Sequence, residues 1–180
     1  MEIEIFWETQ PELPNDELHQ LSEVALNLAT MVKTPDFFGT NFFIKEQLPE
    51  PLNLNIIFTD DAQIRTLNST YRDKDAATDV LTFPFDPAGS AEDDDSFITP
   101  PSEEFPSYAE IYISQDTALR QSREQNLTLL QEFIILIVHG LLHAFGYDHE
   151  KSEEDKKQMS SLEREVLTRL GLGAISLLER

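Results

Sequence analysis

The stretch from Phe133 to His149, F-I-I-L-I-V-H-G-L-L-H-A-F-G-Y-D-H, does most to limit what this chain can fold into. Thr128 to Phe145 reads as one long helix, and between Phe133 and Val138 it is apolar on every side. A helix that is apolar all round has no face to give to water, so it must run through the core. Yet it also carries His139 and His143, four residues apart and therefore on one face, one turn from each other. Gly146, permissive of positive φ, can end the helix and turn the chain back. That turn brings His149 within reach of the same point.

Three neutral imidazoles leave a fourth coordination position open for water or substrate, the arrangement of catalytic rather than structural zinc. Imidazole ligation suits several metals, and zinc is preferred to nickel or iron as the commonest case. The chain has no cysteine, which removes disulfides, thiolate ligands and a cysteine nucleophile together. The fourth histidine, His19, falls on the polar side of the first helix and reads as a surface residue. The spacing H-x-x-x-H-x-x-G-x-x-H is also that of the metzincin proteases, which place a general-base Glu directly after the first His. Here that position is Gly140, so peptide hydrolysis lacks its expected base; Asp148 or Glu150 could in principle substitute.

The rest of the chain supplies the elements around that helix. Residues 2–7 alternate as a half-buried strand does, and Leu52 to Phe58 alternates before turning apolar. A helix is predicted from Asp16 to about Met31, with Leu18, Leu21, Ala25 and Leu28 as its apolar stripe. Thr59 is the predicted N-cap of a second helix through Tyr71, with Ala62, Ile64 and Leu67 facing inward. Val80 to Phe85 and Glu110 to Ile113 read as strands. Ser114 can cap a helix to about Gln125, and Ser152 with Asp155 resembles a capping box opening a last helix that Gly171 stops. Thr34 to Pro51 resists assignment. The expected architecture is α+β: a single domain over 1–180, a mixed β-sheet of about four strands packed with about five helices, and a central buried helix carrying the metal ligands.

The charge is −21, from 13 basic and 34 acidic residues. Such a surface opposes nucleic acid, whose binding is driven by basic groups displacing counterions. Part of the acidity is local: Asp86 to Ser107 carries seven acidic residues and no basic one, and reads as a mobile, solvated excursion from the domain. The first residues, M-E-I-E-I-F-W, do not read as a signal peptide, and the longest apolar run, Phe133 to Val138, is far too short to span a membrane. Cytoplasm is the expected location, with no membrane partner.

Three blocks make the sequence resemble the YbeY-type rRNA maturation endoribonucleases. They are L-N-S-T-Y-R-D-K-D-A-A-T-D-V-L-T-F-P-F (Leu67 to Phe85), A-E-I-Y-I-S (Ala109 to Ser114) and H-G-L-L-H-A-F-G-Y-D-H (His139 to His149) with Met159 and Glu163 downstream. The resemblance implies zinc held by His139, His143 and His149, and a part in activity for Arg72 of the Y-R pair. It implies a single-strand-specific endoribonuclease acting in rRNA processing, at the 3′ end of 16S rRNA and in ribosome quality control. Where the family usually has Gly-Asp, this chain has Ala109-Glu110: the charge is kept and the backbone freedom is not.

Arg72 and Lys74 then read as a wall for substrate phosphates, since Arg grips phosphate through two parallel N–H···O bonds. The competing reading pairs Arg72 with Asp73 or Asp75 on the surface. Thr78 and Asp79 either orient a neighbouring group or cap a turn. The expected chemistry is metal-assisted phosphodiester cleavage at His139 and Arg72, with water or the ribose 2′-OH as nucleophile. The alternatives are a metzincin-like zinc peptidase and a non-catalytic zinc-containing ribosome assembly factor. The acidity favours a protein partner, a ribosomal protein or an assembly GTPase, to bring the chain to the small ribosomal subunit.

Overall fold

The computed structural model describes residues 1–34, 53–84, 108–149 and 152–173. In order, the elements are β1 (Glu2–Trp7), α1 (Asn15–Val32), β2 (Asn53–Thr59), α2 (Asp61–Arg72), β3 (Val80–Phe83), β4 (Tyr108–Ser114), α3 (Gln115–Glu124), α4 (Leu129–Ala144) and α5 (Glu153–Arg169). The predicted α+β order holds. The strands lie β1-β2-β4-β3, the first three parallel and β3 antiparallel at the edge.

Strand alternation divides the core in two. One face presents Leu54, Ile56 and Phe58 of β2 and Ala109, Ile111 and Ile113 of β4 to the main core, which α1 and α4 complete. Trp7 stacks on Phe58 at 4.2 Å between ring centres, and Phe58 meets Phe133 of α4 at 4.6 Å. The opposite face carries a smaller cluster of Ile64, Leu81 and Phe83, which packs α2 against the β3–β4 edge.

α4 is the central helix, as its composition predicts: every residue from Phe133 to Val138 is buried. Its start is locked by a capping box. Thr128 Oγ1 accepts from the Gln131 N–H at 3.1 Å, and Gln131 Oε1 accepts from the Thr128 N–H at 2.9 Å. α4 also lies close to the sheet. A Cβ placed on Gly140 would come within 2.7 Å of Ile111 Cγ2, so only glycine fits this crossing without a shift.

Several expected details differ. Asp60, not Thr59, caps α2: its side chain accepts from the Gln63 N–H at 2.8 Å. Thr59 is still paired with Ser114 as the last residue of β2, so it has no freedom to cap. Ala62 is exposed, and Asn68 joins Ile64 as the buried residues of α2. β4 begins at Tyr108 rather than Glu110, and β3 ends at Phe83. Leu52, Phe85, the unassigned residues 35–51 and the acidic residues 86–107 lie outside the described residues. Among the described residues no single helix is long and apolar enough to cross a membrane.

Candidate metal centre

The last turn of α4 and the turn after it build one cluster. His139 and His143 project from the same helix face, their Nε2 atoms 3.1 Å apart. Gly146 takes φ +84° and ends the helix in a Schellman motif: its N–H reaches the His143 carbonyl at 2.9 Å, and the Tyr147 N–H reaches that of Leu142 at 3.1 Å. The chain reverses there and delivers His149. One ring nitrogen from each of the three histidines lies within 4.8 Å of the others.

This set can hold a metal ion. Ligand atoms of a tetrahedral ion bound at about 2.1 Å stand roughly 3.4 Å apart, so the His139–His143 pair is already near that separation. All three histidines are half-buried and retain access from solvent. Metal binding also needs neutral imidazole. Burial, with the neighbouring His139 and His149 second and third, pushes the His143 pKa down from 6.5 to about 4, against an opposing pull from Asp148. His143 is therefore neutral at pH 7.

Glu163 also meets this centre. Its Oε1 lies 3.3 Å from His139 Nδ1, and both side chains are largely buried. In sequence Glu163 stands out only as part of the downstream block. A sharper signal was present: it lies four residues after Met159 and three before Val166, a carboxylate on the buried stripe of α5.

Gly140 settles the comparison with proteases at that position. The residue after His139 faces the sheet, packed on Ile111 and Thr82, so a glutamate there has no room. Of the two residues that could substitute, Asp148 is half-buried in the turn before His149 and Glu150 lies outside the described residues; Glu110, which stands where the family usually has Asp, is on the other side of the sheet. Strand alternation places it on the face opposite Ile111, where its Oε2 accepts from the Tyr112 hydroxyl at 3.1 Å. His19 is exposed on α1, as expected.

Arg72, the last residue of α2, and Lys74, on the turn after it, are both exposed. Asp73 takes the left-handed conformation at φ 54°, and the Lys74 N–H bonds to the Asn68 carbonyl at 3.2 Å. Asn68 Nδ2 donates to the Ala76 carbonyl at 2.8 Å. Asp75 is gripped by Arg65 through Nε at 2.7 Å and Nη2 at 2.8 Å. Asp79 is a structural joint: its Oδ1 accepts from the Val80 N–H and the Thr78 hydroxyl, and its Oδ2 from Gln121 Nε2 of α3 at 2.9 Å. The turn connects to the centre through β3, where Thr82 packs on Gly140, the neighbour of His139.

Comparison with known proteins gives the same grouping. The family described as Endoribonuclease YbeY matches residues 18–171. A Roseiflexus sp. (strain RS-1) protein named Endoribonuclease YbeY is 41% identical over 128 residues, covering 71% of this chain and 76% of its own. Its Aquifex aeolicus (strain VF5) namesake is 44% identical over 122 residues, 66% of this chain and 71% of its own. That of Rhizobium meliloti (strain 1021) is 34% identical over 175 residues, 96% of this chain and 92% of its own. The solution structure of TM1509 from Thermotoga maritima shares 25% identity, a TM-score of 0.50, 98% of this chain and 97% of that one. With the family match running from α1 through α5 and including every histidine of the cluster, this chain belongs to the YbeY family.

Proposed function

We propose that this protein is a zinc-dependent endoribonuclease acting on single-stranded RNA in rRNA processing, at the 3′ end of 16S rRNA and in ribosome quality control. One observation carries the reading: three histidines converge at the end of a buried helix in which the protease's general-base position is a sterically required glycine. Zinc held by His139, His143 and His149 would supply Lewis acidity toward a phosphodiester. His143, kept neutral by burial, presents its lone pair without first losing a proton. Gly146 fixes the turn that orients His149. Arg72, at the end of α2, and Lys74, on the turn after it, bind substrate phosphates, the guanidinium offsetting charge that develops during cleavage. Thr78 and Asp79 keep that turn in register with β3 and α3.

The charge of −21 shapes the partners in this reading. A ribosomal protein or an assembly GTPase brings the chain to the small ribosomal subunit, in the cytoplasm and without a membrane. The test is a pair of identically purified, metal-quantified proteins, the wild type and His139→Ala. Each is assayed on rRNA-containing particles and on an unstructured peptide. Cleavage of RNA alone, by the zinc-loaded wild type alone, is the expected result. Peptide turnover would select the zinc peptidase instead. Loss of zinc and stability in the variant, with neither substrate cut by the wild type, would select a non-catalytic assembly factor.

A further inference from the structure

The two ring nitrogens of His139 face different neighbours. Nε2 points toward His143 Nε2 at 3.1 Å, inside the cluster, and Nδ1 points toward Glu163 Oε1 at 3.3 Å. Glu163 sits on α5 between the buried Met159 and Val166, only 9% exposed, and its Oε1 has no formed hydrogen bond. The approach is within ion-pair range. A buried carboxylate oxygen without a donor is costly, so its position on an apolar stripe calls for a partner. The histidine ring is the group it faces. The 3.3 Å separation is only a few tenths of an ångström beyond the about 2.7–2.9 Å of a charge-assisted bond.

We propose that Glu163 is a positioning residue for the metal centre. Its carboxylate accepts the Nδ1–H of His139, which selects the tautomer whose Nε2 lone pair faces the other two histidines and makes that nitrogen a stronger donor. Glu163 touches the ring on the side away from the cluster, so it acts through His139 and not on substrate. The proposal rests on the metal-centre reading above, and on no particular substrate.

The test measures Zn²⁺ affinity by chelator competition in wild type, Glu163→Gln and Glu163→Ala, each checked for folding in its metal-free form. Ring ¹⁵N shifts of His139 report the tautomer independently of any activity. Glu163→Ala is expected to bind Zn²⁺ about ten- to a hundredfold more weakly, the usual effect of removing a supporting carboxylate. It should also lose the dominance of the Nδ1–H tautomer. Glu163→Gln, whose amide oxygen still accepts but carries no charge, should fall between the two. Wild-type affinity and tautomer in Glu163→Ala, with only a lower melting temperature, would show that Glu163 merely packs α5 on α4 and would overturn the proposal. If Glu163→Ala does not fold, wild-type affinity in Glu163→Gln does the same. Failure of the wild type itself to bind zinc would instead remove the metal-centre reading on which the proposal stands.

Discussion

The histidine segment and the turn after α2 were both singled out by their residues, yet the fold holds them by different means. His139 and His143 sit on a helix buried from Phe133 to Val138, and His149 follows a turn closed by two backbone hydrogen bonds. Arg72 ends α2 and Lys74 sits on the exposed turn after it, which is held by the Arg65–Asp75 pair and by Asn68. A metal centre needs ligand atoms placed to a fraction of an ångström, which rigid packing supplies. A surface that grips a flexible polyanion tolerates looser placement. The proposed roles fit that difference: firm placement for an ion, adaptable contact for a substrate.

The strongest way to break the comparison is to remove a ligand. His143→Ala should weaken zinc binding about a hundredfold or more, beyond what loss of a supporting residue costs, as measured by chelator competition. Arg72→Ala should leave zinc affinity unchanged. Equal losses in the two would mean that the regions are not separate.

Acid should act on the histidine segment through burial. The folded His143 pKa of about 4 lies below its ordinary 6.5. Between those values the unfolded chain takes up a proton that the folded chain refuses. The stability of the metal-free protein is therefore complete above about pH 6.5 and falls as pH drops toward 4, by on the order of 3 kcal/mol. Denaturant titrations at pH 7 and pH 4.5 measure this; a flat profile across the window would contradict the burial of His143.

Gly140→Ala sharpens the contrast at the sheet contact. Overpacking against Ile111 costs about 1–3 kcal/mol, and replacing a helical glycine returns up to about 1. A net loss of about 1–2 kcal/mol is expected in denaturant unfolding, and a gain would show that α4 can withdraw from the sheet. Asn68→Ala should cost about 1 kcal/mol. It removes the bond to Ala76, but also an amide oxygen that is buried without a donor. The smallest stability effect is expected at Arg72→Ala: an unchanged melting temperature with reduced RNA cleavage. A clear drop in melting temperature would make Arg72 a structural residue.

Most elements were legible because their signals are local. Thr128, Ser114 and Ser152 each stand one residue before a helix and accept from a backbone N–H three residues on. The error at Thr59 shows where such signals stop. Thr is a good cap in isolation, but pairing with Ser114, distant in sequence, keeps it in the strand and passes the role to Asp60. Ala62 fails for a similar reason: the face α2 buries is set by the β3–β4 edge beneath it, where Ile64 packs on Leu81 and Phe83.

The sequence by itself determined which three histidines converge, because four-residue helical spacing and a glycine turn act over a few neighbouring residues and need no distant partner. It likewise determined that α4 would be buried, since no solvent-facing side was available. Only the tertiary structure decided that Gly140 has no room for a protease's glutamate, that Glu110 faces away from α4, and that Glu163 meets His139. Each depends on which elements pack together across long stretches of chain. That is settled by the joint burial of many side chains rather than by the spacing of any few.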